Sequence, residues 1–400
     1  MSEAKASGSA EGLRIGVVAA CPFPAPRGTP VRIQRLSDAL ARRGHEVHVW
    51  TYHLGEADAG GLLRIHRTPR VPTYTKVTPG PSVQKLLVMD PLLTWRIRSD
   101  LSRMPMDLIH AHHYEGLLTS YAATLGRSVP LVYDAHTLLG SELPFTRMGI
   151  PRSGSARVGR ALDRWLPRLS DHVVSVSRTI KDRYVQDGLP ESQISVAVNG
   201  VEHEIFAQCA GRYPDRDAAP LLVFTGNLSP YQRVDLLLEA FAKVVGRGVD
   251  ARLLFVTQSS FDAYEKQAIG LGIRSRLAFS AAPFHEQPPL MADALIAVNP
   301  RTDCDGIPQK LLNYMAAGRA TVSFEGSAPC VEHGKTGWIV PNGDVDAFAS
   351  AIVDLVADPA LAERLGRQAR QAILAEYTWE IAAAKCERIY RQLLARKGRA

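Results

Sequence analysis

Short, nearly unbroken apolar runs alternate along the chain with longer stretches in which apolar residues return every three or four positions. Leu13-Arg-Ile-Gly-Val-Val-Ala-Ala20 is such a run, followed by a Pro/Gly loop from Cys21 to Pro30, an amphipathic stretch from Val31 to Arg43 and a stop at Gly44. The order recurs through Val47–Thr51, Leu108–His112, a helical stretch near Gly116–Leu125, Leu131–Asp134, Val173–Val176 and Ile194–Val198. Brief apolar runs separated by amphipathic helices predict strands buried on both faces, hence a parallel, doubly wound α/β sheet. From Cys209 to Pro220 the period is lost in a polar segment holding two prolines. It resumes with a strand over Leu221–Thr225, a helix over Val234–Val245, a strand over Ala251–Val256 and a helix near Ala263–Leu271. Strands over Leu277–Phe279, Leu295–Val298 and Thr321–Phe324 follow, then helices over Ala347–Val356, Leu361–Tyr377 and Trp379–Lys397. The pattern predicts two Rossmann-like domains, 13–208 and 215–378, with a helix over 379–400 and a disordered tail over 1–12. Ligands of such sheets lie beyond the carboxyl ends of the strands, so two of them predict a cleft.

One segment departs from plain amphipathicity. Asp305-Gly-Ile-Pro-Gln-Lys-Leu-Leu-Asn-Tyr-Met-Ala-Ala-Gly318 reads as a glycine turn entering a helix whose first turn faces something polar. Pro308 suits a helix start, and Gly318 a helix end. The free amides of the start form an anion site. Lys310 and Asn313, three apart, share a face, while Leu311, Leu312 and Met315 supply the packing side. Other polar residues expected at strand ends are Gly28, His110, His112, His113, His136, Gly226, Asn227 and Arg301.

Composition narrows the class. The apolar fraction is 46% and no run approaches the length of a membrane span. Five scattered cysteines form no C-x-x-C pair and read as reduced thiols of a cytoplasmic protein. The net charge of +7 is uneven: residues 1–200 hold 25 Lys/Arg against 17 Asp/Glu, and the remainder is nearly balanced. Arg147, Arg152, Arg157, Arg160, Arg164 and Arg168 cluster against the single Asp163, with Val158, Leu162, Trp165, Leu166 and Leu169 between them at helical spacing. Such a helix either lies on anionic lipid or is a surface helix with its apolar face in the core. Lys85–Arg98 repeats the theme, with Trp95 and leucines flanked by cations. The basic run lacks interleaved aromatics, so nucleic acid is not an expected partner.

The motifs together resemble the family 4 (group 1) glycosyltransferases of GT-B architecture. Arg42-Arg-Gly-His-Glu-Val47 resembles that family's RGHEV, Asp107-Leu-Ile-His-Ala-His112 its D-x-I-H-x-H, and Val198-Asn-Gly-Val-Glu202 with Phe206 its NGVD…F. Asn313–Val322 resembles EAMAxGxPVV, and Glu332–Pro341 resembles ENGxTGxLVP. The resemblance implies two Rossmann-like domains facing across a cleft, with the C-terminal helix crossing back to the first. It implies a nucleotide-diphosphate sugar bound by the C-terminal domain, an acceptor bound by the N-terminal domain, and metal-free transfer that retains the anomeric configuration. No cofactor and no metal are expected. Asp305 and Asn313 stand at the two positions of the family's E-x7-E, which touch donor sugar and ribose. His136 matches the histidine set against the donor sugar, Gly28 the glycine near the sugar phosphate, and His112 an acceptor contact. Gly226, Gly306, Ile307, Pro308 and Gln309 complete the donor side.

This sequence departs from the family at Gly226–Asp235. Asn227 replaces the usual arginine and Gln232 the usual lysine, the pair that holds the leaving diphosphate. Lys310, with Arg301 and Arg233, is expected to take over that work. The expected acceptor is a lipid-linked or cell-envelope glycan at the inner membrane face, a small natural product being the other option. A donor-binding pseudoenzyme and a sugar-nucleotide epimerase remain alternatives. A dehydrogenase is excluded, because no G-x-G-x-x-G follows Val17–Ala20. Asp303-Cys-Asp305 resembles a metal–diphosphate signature of another fold, and the histidines at 110–113 lack a carboxylate spacing for a metal.

Overall fold

The computed structural model describes residues 12–25, 28–56, 61–76, 82–143, 152–215 and 218–398. The tail expected over 1–12 lies, except for Gly12, outside them, as does Arg147 of the basic run. The chain divides into two compact units, one ending at Ala197 and resuming at Ala382, the other running from Val198 to Ile381.

Among the described residues the first unit holds seven strands: β1 (Arg14–Ala19), β2 (Glu46–Thr51), β3 (Arg64–Arg67), β4 (Leu108–His112), β5 (Leu131–Ala135), β6 (His172–Ser175) and β7 (Ile194–Val196). Their order is β3-β2-β1-β4-β5-β6-β7, and every pairing is parallel. All five residues of β4 and of β5 are buried, as helices on both faces require. Val18, Trp50, Ile109, Tyr133 and Val173 anchor its core.

The second unit holds six among its described residues: β8 (Leu221–Thr225), β9 (Arg252–Val256), β10 (Leu277–Ser280), β11 (Ile296–Asn299), β12 (Ala320–Phe324) and β13 (Trp338–Val340). They run β10-β9-β8-β11-β12-β13, again parallel. Phe224, Phe241, Phe255, Val322 and Phe348 centre its core. The strand order reverses between β1 and β4 in one unit and between β8 and β11 in the other, which are the places where open α/β sheets bind ligands.

The first unit is shorter than the expected 13–208. Val201 donates its N–H to Tyr377 O at 2.8 Å and bridges Thr378, and Phe206 and Cys209 are buried with Tyr314 in the second unit's core. Residues 198–209 therefore fold with the second unit. The helix Trp379–Arg396 begins in that unit and belongs to the first from Ala382 onward. No helix among the described residues is long and apolar enough to cross a membrane.

Candidate functional site

In the second unit, β8 ends at Thr225 and turns at Gly226, whose φ of 113° belongs to the left-handed region that favours glycine. A β-carbon there would lie 3.7 Å from both Cε and Nζ of Lys310. Lys310 comes from the helix Gln309–Ala316, which Tyr314 fixes to the same strand end: its hydroxyl accepts the Thr225 N–H at 2.7 Å. The lysine is buried, donates from Nζ to Gln232 Oε1 at 2.7 Å, and stands 3.8 Å from the Phe224 ring centroid. Burial, and then the neighbouring Arg301 guanidinium, push its pKa well below the ordinary lysine value. Asn313, one turn on, is buried, and its Oδ1 has no hydrogen-bond partner among the described residues.

The other expected donor residues are engaged locally. Asn227 donates to the Tyr231 hydroxyl at 2.8 Å and accepts the Ser229 N–H at 3.1 Å. Arg233 pairs with Asp235 at 2.9 Å, in the first turn of the next helix. Arg301 lies 5.0 Å from the Tyr231 ring centroid and donates to the Asp303 carbonyl. Gln309 donates to Gly200 O at 3.0 Å, tying the helix start to the 198–209 segment. Ile307 packs on the core, Asp305 and Gly306 are half-buried, and Pro308 is the residue before the helix, with ψ 122°.

In the first unit a buried carboxylate organises the strand ends. Asp134 on β5 is fully buried and binds Arg32, whose Nη2 donates to Oδ2 at 2.8 Å and whose Nε donates to Oδ1 and Oδ2, each at 3.2 Å. Burial alone raises a carboxylate's pKa; the Arg32 charge overrides this and holds Asp134 well below its usual range. Around it stand His110 Nε2 at 3.2 Å, His112 Nδ1 at 3.6 Å and His136 Nε2 at 3.5 Å. His112 Nδ1 and His136 Nε2 share a hydrogen bond of 3.1 Å. Burial pushes His136 down to about 3 against the opposing pull of Asp134, and burial likewise lowers His112, so both rings are neutral. His112 Nε2 has no partner among the described residues. Gly28, at φ 41°, opens the helix Gly28–Arg42 that delivers Arg32.

Beside this group, His113 adopts a φ of 63°, rare for a side chain of its size. Its ring reaches Glu142 at 3.3 Å and Glu115 at 3.6 Å, and Glu115 also binds Lys85. Burial lowers the His113 pKa, but the two carboxylates outweigh it and raise the ring to about 9.

His110 and His112 share a face of β4, with ring centroids 4.5 Å apart. The missing carboxylate is supplied from the neighbouring strand, contrary to the reading of the 110–113 spacing: Asp134 brings the three ligand atoms within 4.8 Å of one another. Its charge is already matched by Arg32, and a guanidinium at this distance opposes a metal ion. Sequence reasoning assigned no role to Arg32 or Asp134. The signal was there: an arginine on the apolar face of a helix and an aspartate inside a buried strand.

Residues 26–205 match Glycosyltransferase Family 4, and residues 219–358 match Glycosyl transferases group 1. The chain is 24% identical to N-acetyl-alpha-D-glucosaminyl L-malate synthase of Bacillus anthracis, over 96% of this chain and 97% of that protein. It is 28% identical to the GDP-mannose-dependent alpha-(1-6)-phosphatidylinositol monomannoside mannosyltransferase of Mycolicibacterium smegmatis, over 70% of this chain and 76% of that protein. The structure of sucrose-phosphate synthase from Thermosynechococcus elongatus superposes with a TM-score of 0.78 at 19% identity, covering 96% of this chain and 99% of that one.

Proposed function

The chain belongs to the group 1 glycosyltransferases of family 4, and we propose that it moves a sugar from a nucleotide-diphosphate sugar to a lipid-linked or cell-envelope glycan at the inner membrane face. In this reading transfer retains the anomeric configuration and uses no metal ion. The relatives named above support it: one is GDP-mannose-dependent, with a phosphatidylinositol-based name.

The observation that bears most on the chemistry is the contact of Lys310 Nζ with Gln232 Oε1 at 2.7 Å. The family's lysine at position 232 is replaced by glutamine, and Lys310 brings an ammonium to within hydrogen-bond reach of that side chain. The phosphate-binding cation has thereby moved to another element while staying in place. As the bond from the anomeric carbon to the diphosphate oxygen breaks, charge builds on the leaving oxygen. Lys310 and the amides at the start of its helix then stabilise that charge, with Arg301 beside them. The acceptor hydroxyl oxygen bonds to the anomeric carbon on the face the diphosphate leaves, and its proton passes to the departing phosphate oxygen. The open Asn313 Oδ1 accepts a ribose hydroxyl, and Asp305 a hydroxyl of the donor sugar. In the first unit neutral His136 and His112 offer hydrogen bonds to sugar hydroxyls.

A second reading, a donor-binding protein without turnover, is favoured by one observation: Asn227 and Arg233 are both engaged by neighbours. Thermal stabilisation across UDP, GDP, ADP and their sugars, without added metal, tests the donor claim. A shift confined to one nucleotide and its sugar supports it, and the absence of any shift contradicts it. Binding without release of nucleoside diphosphate in the presence of glycan acceptors selects the second reading.

A further inference from the structure

The helix Arg152–Trp165 is turned inside out relative to an ordinary surface helix. Among its described positions, those buried are Ser155, Gly159 and Asp163, four apart and on one face. A β-carbon at Gly159 would sit 2.4 Å from Leu139 O, so the helix docks backbone to backbone on the helix Leu139–Glu142. Asp163 completes that joint by accepting the N–H groups of Leu139 and Gly140, each at 2.8 Å. Its apolar residues are left outside: Val158 is 50% exposed, Leu162 37% and Trp165 69%. Only Leu166 and Pro167, in the turn that follows, are buried. An apolar face serving as core, one of the two readings of this stretch, is thus ruled out for its three central residues.

Residues 83–95 share part of this inversion, since Met89 and Leu93 enter the core but their apolar neighbours do not. Lys85 is buried against Glu115, while Val83 is 74% exposed, Leu86 65%, Leu87 67% and Trp95 59%. Exposed leucines scattered singly need no explanation, but consecutive ones beside a buried lysine do. The cations lie with the apolar residues of the first helix. Arg157, Arg160 and Arg164 are exposed and have no acidic partner among the described residues, and Arg168 stands 6.0 Å from the Trp165 ring centroid.

We propose that these two stretches of the first unit form the surface by which the protein sits on a lipid bilayer carrying anionic headgroups. Val158, Leu162, Trp165, Leu86, Leu87 and Trp95 enter the headgroup–acyl boundary, where indole rings are at home, and the arginines meet the headgroup charge. The charge of the chain agrees, since its positive excess lies in residues 1–200. The inference deepens the membrane-face reading proposed above and rests on it for its purpose, though not for its geometry.

Flotation of the full chain with phosphatidylcholine vesicles, with and without phosphatidylglycerol, tests it. The wild type binds the anionic vesicles, with a blue shift of its tryptophan emission, and releases them at high salt. The pairs L162S/W165A and R157E/R160E each weaken binding about tenfold. Their circular dichroism is unchanged, because all four side chains are exposed. No binding to anionic vesicles, or equal binding by both variants, overturns the proposal. A wild-type dimer in sedimentation that L162S/W165A dissolves also overturns it, assigning the face to a second copy. Donor binding is read separately by thermal shift: loss of vesicle binding with donor binding intact removes only this inference, whereas vesicle binding without donor binding removes the transferase reading alone.

Discussion

Buried charge is costly unless paired, and single residues of the two units meet that cost in different ways. Asp134 is matched by Arg32 in the first unit, whereas Lys310 in the second meets, among the described residues, a neutral amide and an aromatic face. The first arrangement is complete as it stands; in the function proposed above, a phosphate completes the second. His113 gives a sign-definite test. Its carboxylates raise it from 6.5 to about 9, so the stability it adds is full below the unfolded value of 6.5 and is lost as pH rises through about 9. The wild type is expected to lose more melting temperature between pH 7 and 10 than His113→Asn, which tolerates the left-handed backbone but does not titrate. Identical pH slopes for the two proteins would count against the ion-pair assignment. At this scale the sequence was only partly legible. Lys310 and Asn313 announced themselves by their spacing beside a glycine turn, but Gln232, the partner of Lys310, lies far off in sequence, and Tyr314, which ties their helix to Thr225, lies within the packing face.

Elements were easier to read, because parallel strands buried on both faces leave apolar runs that little else produces. β1, β4, β5, β8, β11 and β12 fall where the runs predict. β3 was missed: Arg64-Ile-His-Arg67 lies at the sheet's edge and is exposed or half-buried, so its sequence carries no run. The helix Arg178–Gln186 was missed for a similar reason, since only Ile180 and Tyr184 of its nine residues are buried. The helix Gln309–Ala316 was expected from its pattern, but its attachment to β8 through Tyr314 was not visible. Tyr314→Phe leaves the buried Thr225 N–H without an acceptor and is expected to cost about 1–3 kcal/mol in denaturant unfolding. Because Thr225 immediately precedes Gly226, nucleotide affinity should fall as well. An unfolding midpoint and affinity equal to the wild type would show that this bond does not position the helix.

For the molecule as a whole, two parallel sheets, each with its reversal point at the strand that bears the expected polar residues, make the family assignment intelligible from first principles. The boundary near residue 198 and the division of the last helix at Ala382 depend on long-range pairings such as Val201 with Tyr377, which no local pattern encodes. We propose that this chain keeps the family's chemistry with Lys310 in place of the cation lost at position 232. The most direct test is nucleoside diphosphate release with donor and acceptor by the wild type, Lys310→Leu, and the exchange Q232K/K310L. Lys310→Leu is expected to lose about a hundredfold or more, and the exchange to recover substantially, because a lysine again reaches the same place. Wild-type turnover in Lys310→Leu, or an exchange as inactive as the single variant, would contradict it.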